Sequence, residues 1–178
     1  MAETSSGRAS DRWDRVLGTL KEQGLSMGVG GTVVGRQATC ALLGDAVLLA
    51  AAHRVVHLEE GAEVCRSVLS LLRPPAVQEY CLELLRRRPR VPAELEFMAA
   101  SLLDAVATWD LLPTLVAMLE HELDSIRDRI YQIIYVVALE VPQGHIPMLV
   151  EVAQQLEART DASARATATD IRSLLDGA

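Results

Sequence analysis

Apolar residues recur along most of this chain at intervals of three and four, and no stretch alternates convincingly with a period of two. Such spacing lines one side of an α-helix, so the pattern predicts an all-helical protein. Trp13, Val16, Leu17 and Leu20 fall at i, i+3, i+4 and i+7 behind Ser10, a good helix cap, and this first helix is expected to end near Gly24. Eight more are expected over roughly residues 37–57, 62–73, 75–88, 93–109, 111–122, 125–140, 145–158 and 162–176. Residues 1–9 read as a disordered lead and residues 10–178 as a single helical-repeat domain.

The breaks have physical causes. Pro74-Pro75 stops one helix and opens the next, because proline cannot donate within a helix but suits its first turn; Pro89 and Pro92 bracket a short link. Asp110, Asp124 and Asp161 are expected N-caps, and Gly177 a C-terminal stop. Within 125–140, Ile126, Ile130, Ile133, Ile134 and Val137 form a core stripe while Asp128 and Gln132 face elsewhere. The last helix, with Thr167, Thr169, Asp170 and Arg172, is expected to present a polar outer face.

Paired, the helices form hairpins that begin near residues 41, 76, 111 and 146, a recurrence of roughly 35 residues, the scale of helical repeats. The last two align best: each has an early proline (Pro113, Pro147), an apolar first helix, a loop aspartate (Asp124, Asp161), a nearby arginine (Arg127, Arg165) and an amphipathic second helix. On these residues, over 110–177, the chain resembles the HEAT/armadillo superfamily of α-solenoids. The resemblance implies a right-handed solenoid of about four hairpins with an N-terminal capping helix. It further implies that the aspartates and arginines ladder between repeats, and that second helices line a concave face where partners bind. The physical case agrees, since a hairpin this apolar cannot cover both faces alone and stacking makes one continuous core.

Composition narrows the function. Half of the 178 residues are apolar but only 3% aromatic, which suits helices packed through aliphatic side chains. A formal charge of −7 argues against a nucleic-acid coat or an anionic-membrane binder, both of which need a positive field. The polar start carries no secretory signal, and the longest apolar run is broken by Asp45 and falls short of a membrane span. Cys40, Cys65 and Cys81 form no C-x-x-C pair, and so sparse a set suits a reducing compartment, cytoplasmic or nuclear.

Five motifs bear on chemistry. The glycine run Gly28, Gly30, Gly31 and Gly35 has a G-x-x-x-x-G frame, but Arg36 and Gln37 stand where a P-loop needs Lys and Ser/Thr, and no strand precedes it. It reads instead as a hinge that lets the N-terminal helix fold back on the first hairpin. The segment before His53 resembles the histidine segment of chymotrypsin-like proteases, but no G-D-S-G-like element follows. His53 and His57, spaced i, i+4, could face one metal, although Arg54 occupies the place of the H-E-x-x-H glutamate. Arg86, Arg87, Arg88 and Arg90 form a basic cluster that suits either a helix C-terminus or a nuclear or nucleic-acid contact. Arg127, Tyr131 and Tyr135, at i, i+4, i+8, are candidate partner-binding residues, because arginine and tyrosine are enriched in binding hot spots.

The expectation is therefore a non-catalytic scaffold or adaptor without a cofactor, holding a protein partner along its helices. The alternatives are a nucleic-acid-associated repeat protein acting through Arg86–Arg90, or a metal- or ligand-binding helical domain at His53 and His57.

Overall fold

The computed structural model describes residues 33–87 and 89–176, which are helical with no strand among them. The expected helix behind Ser10, together with Gly28, Gly30, Gly31 and Gly177, lies outside these residues. The described helices are α1 Val33–Leu43, α2 Asp45–Val56, α3 Ala62–Leu72, α4 Pro75–Arg86, α5 Ala93–Val106, α6 Leu112–Ala117, α7 Asp124–Ala138, α8 Ile146–Glu157 and α9 Ala162–Asp176. The chain divides into two compact units, residues 1–80 and 81–178, with the boundary inside α4.

In the first unit, α1 packs on α2 and α3, and α2 packs on α3. The single helix expected over 37–57 is broken: α1 and α2 meet at 94° around Gly44. Gly44 sits at φ 79, a conformation that a side chain would strain, and its amide donates to the Cys40 carbonyl at 2.8 Å to close α1. No single helix among the described residues is long and apolar enough to cross a membrane. Leu48, Ala52, Val55, Val56 and Leu69 are buried between these helices. α3 ends at Arg73 in a left-handed conformation before Pro74, and Pro75 opens α4 as its sequence requires.

The second unit is layered. Within hairpins, α6 packs on α7 and α8 on α9. Between hairpins the first helices meet each other (α6 on α8) and so do the second (α5 on α7, α7 on α9). α7 therefore has packed neighbours on three sides, which explains why Ile126, Ile130, Ile133, Ile134 and Val137 are all buried. Each such side chain contributes about 1.5–3 kcal/mol when removed from water. Pro113 and Pro147 both lie in the first turn of their helices.

Several local expectations change. Of the helix expected over 111–122, only Leu112–Ala117 is α-helical, flanked by 3-10 turns at Trp109–Leu111 and Met118–Glu120. Asp110 lies in the first of these turns and caps nothing. Asp124 is the first residue of α7 and engages Arg127 rather than a backbone amide. Asp161 does cap α9, its Oδ1 accepting from the Ala164 amide at 2.8 Å. Thr167 is buried, not outward, and its hydroxyl donates to the Ser163 carbonyl at 2.9 Å.

The position of α7 makes its core stripe the point where the second unit is most easily broken. Ile133→Ala is expected to cost about 2–5 kcal/mol in denaturant unfolding, through lost burial and the cavity it leaves. Ile133→Asp, which buries an uncompensated charge, should abolish the cooperative transition; a mutant that melts like the parent would refute this core.

Candidate functional site

The polar groups of the second unit converge on one turn, residues 118–124, between α6 and α7. Arg127, one turn into α7, reaches back: its Nη1 donates to the carbonyls of His121 at 2.6 Å and Glu122 at 3.3 Å, and its Nη2 to the Asp124 carboxylate. Arg90 arrives from the link before α5. Its Nε and Nη2 donate to the two oxygens of Glu96 at 3.0 and 2.5 Å, and its Nη1 to Glu122 at 3.0 Å. Arg159 arrives from the link before α9, donating to Glu120 at 2.7 Å and to the Leu119 carbonyl at 3.0 Å. Three arginines thus hold one turn, two of them from neighbouring hairpins.

At its centre lies a charge removed from water. Glu96 is fully buried, and the planar guanidinium of Arg90 meets it two-pronged, the geometry that best matches a carboxylate. Hydrogen bonding to Glu96 foremost, then its charge and the contact with Glu122, keeps Arg90 protonated well above its ordinary value. His121 is buried beside them, its Nε2 3.8 Å from Glu96 Oε2. Its Nδ1 accepts the Leu123 amide at 3.2 Å, so in this arrangement the imidazole proton belongs on Nε2, facing the carboxylate.

A second polar knot joins α7 to α9. The Tyr131 hydroxyl donates to Asp161 Oδ2 at 3.0 Å, and Arg159 Nε lies 3.4 Å from the same oxygen. Burial, and after it the bond to Asp161, raises the Tyr131 hydroxyl above the usual tyrosine value. Burial works against the Asp161 carboxylate, but the Ala164 amide, the Tyr131 hydroxyl and Arg159 together outweigh it and hold the group below the ordinary aspartate value.

These contacts redistribute the residues singled out in the sequence. Arg127, Tyr131 and Tyr135 do not form an open stripe: Tyr131 is buried, Arg127 is spent on its own turn, and only Tyr135 is exposed. The Asp–Arg ladder is also rearranged. Arg127 pairs within its own helix and Arg165 is exposed, while Arg90 and Arg159 make the ties between hairpins. Of the basic cluster, Arg86 and Arg87 are exposed, Arg90 turns inward to Glu96, and Arg88 lies outside the described residues.

His53 and His57 stack ring on ring at 4.0 Å, and His53 Nδ1 sits 3.1 Å from Glu59. Among the described residues no group of three or more His, Cys, Asp or Glu could hold a metal ion. Gly35 is buried inside α1, so it belongs to a helix rather than to a phosphate-binding loop. Cys81 is buried, which pushes its thiol up to about 12 and keeps it protonated and inert.

The row of second helices carries a surface that sequence reasoning missed. The Arg129 guanidinium lies 5.8 Å above the Phe97 ring and donates to Asp104 at 3.1 Å, so two helices present one preset aromatic–cation pair. Two turns on along α7 lies Val136, with Tyr135 and Leu139 close by on the same open sector; Phe97, Tyr135, Val136 and Leu139 are all exposed. The available signal was that Arg129 and Val136, seven apart, fall outside the isoleucine stripe.

Two measurements probe this network. Arg90→Ala leaves the Glu96 carboxylate buried without its main partner and should cost about 3 kcal/mol, whereas Arg90→Ala combined with Glu96→Leu should recover much of the loss; equal destabilisation by the single and double variants would show that the buried charge is not the cause. Because the Asp161 value is lowered on folding, its contribution is present above the ordinary aspartate range and is lost as pH falls through the lower folded value. The stability gap between the parent and Asp161→Asn should therefore be widest near neutrality and close on acidification below about pH 4 in chemical denaturation.

No protein-family model, no curated protein and no solved structure matches this chain.

Proposed function

We propose that the protein is a non-catalytic interaction scaffold, its second unit a right-handed α-solenoid segment of HEAT-like hairpins that holds a protein partner along the row α5, α7 and α9. The observation that carries this reading is the register of the layers. First helices pack on first helices and second on second, so the second helices form a row with Phe97, Arg129, Tyr135, Val136 and Leu139 available on it.

The chemistry of that row supports recognition. Aromatic and arginine side chains dominate binding hot spots when they are already held in place, because less side-chain freedom is lost on association. Arg129 is held by Phe97 and Asp104 before any partner arrives. The same three helices also expose charges of both signs, Glu94, Asp128, Arg165 and Asp170.

Affinity capture from the native cell, with parent and variant chains side by side, tests the proposal. Phe97→Ala and Leu139→Glu alter exposed positions, so folding should survive while retention of a specific partner falls by about tenfold or more, the loss expected for a hot-spot residue. A partner retained equally by the parent and both variants would discard this row as the binding face.

A further inference from the structure

Three of the four histidines, His53, His57 and His145, are exposed, whereas His121 in the turn between α6 and α7 is buried. Its ring and its backbone both hold that turn. Nδ1 accepts the Leu123 amide at 3.2 Å, and the His121 carbonyl accepts Arg127 Nη1 at 2.6 Å. Leu123 in turn starts α7, its carbonyl accepting the Ile126 and Arg127 amides at 3.1 Å each. The imidazole therefore fixes the residue on which the first turn of α7 is built. A ring nitrogen that accepts a backbone amide carries no proton, so this arrangement belongs to the neutral ring alone. A proton on Nδ1 would set one donor against another.

The surroundings give that proton little support. Glu96 Oε2 lies 3.8 Å from Nε2, but both Glu96 oxygens already meet the Arg90 guanidinium, which returns a positive charge to the same place. From α7 Arg127 brings a second cation, paired with Asp124, and from the link before α9 Arg159 brings a third, paired with Glu120. The side chains of Asp124, Glu120 and Glu122 are 84%, 80% and 67% exposed, so water screens what they offer. Helix α6, Leu112–Ala117, carries no charged residue. Burial acts in the same direction, since removing water penalises the charged imidazole. We propose that the turn is a proton-sensitive latch: neutral His121 keeps it closed, and proton uptake by the ring breaks the Leu123 bond and frees the entry to α7. Because Arg90 and Arg159 grip the same turn, opening it loosens the ties between hairpins.

Two measurements on the full chain test the latch. The unfolded chain takes this proton at the ordinary histidine value, about 6.5, whereas the closed turn refuses it; below that pH the unfolded state binds more protons and stability falls. In urea unfolding, the folding equilibrium constant of the parent should drop about tenfold more between about pH 7.5 and pH 5.5 than that of His121→Asn. Asparagine keeps the latch without its titration, because its side-chain oxygen can accept the amide two residues on. Assigned imidazole nitrogen NMR shifts of the parent give the second measurement, which stands even where the variant folds poorly. His121 should show Nε2 protonated and Nδ1 bare at neutral pH, and should stay so below about pH 6.5 while the three exposed rings gain charge. Equal pH dependence in the parent and His121→Asn would overturn the latch. So would a His121 ring that is charged at neutrality, or that charges together with the exposed three.

Discussion

The buried Glu96 carboxylate and its two-pronged pairing with Arg90 are the constraint around which the second unit is arranged. A carboxylate moved out of water is costly unless a partner meets it with good geometry and the remaining lone pairs find donors. Arg90 meets that demand only if the link before α5 holds it over Glu96, and its third contact, to Glu122, fixes that link against the turn between α6 and α7. The same turn is held from within by Arg127 and from the following hairpin by Arg159. The aliphatic cores of the layers are non-directional and would tolerate sliding; three arginines donating to particular carbonyls and carboxylates would not. Register between hairpins therefore rests on polar ties at one end, while the free energy of packing rests on the isoleucines of α7.

That division bears on what the second helices can do. A side chain useful for recognition must be both exposed and held. Arg129 is held by Asp104 and Phe97 of α5, and the relation of α5 to α7 is set by the packing of both helices and by the Arg90 tie at the start of α5. Tyr131 belongs to the scaffold and not to the surface, because its hydroxyl is committed to Asp161 and its ring to the interior.

The helical class and the α7 core were legible in the sequence because both follow from period alone: an apolar residue at every third or fourth position leaves few alternatives. The first-turn prolines Pro113 and Pro147 were legible for a similar reason, since proline has so few places in a helix. Features that depend on a distant partner were not. Nothing in the spacing of Tyr131 and Tyr135 tells which will meet Asp161, thirty residues on, and nothing near Arg90 distinguishes it from its neighbours except Glu96 six residues later. Asp124 and Asp161 looked alike as caps, yet Asp124 is turned to Arg127, whereas Asp161 meets Tyr131 and Arg159 through one oxygen and keeps the other for the Ala164 amide. Gly44 was hidden because a lone glycine does not interrupt an apolar pattern, even where the chain turns through 94°.

The two units treat apolar surface differently, and the difference has a physical source. In the second unit α7 packs on α5, α6 and α9, so its isoleucine stripe is buried whole while the opposite side, with Asp128, Gln132, Tyr135 and Val136, stays in water. α3 has α1 and α2 to pack on, and these bury Leu69 but leave Val64, Val68 and Leu71 in water. A helix packed on two neighbours covers less of its circumference than one packed on three, so the same apolar content leaves more of it in water.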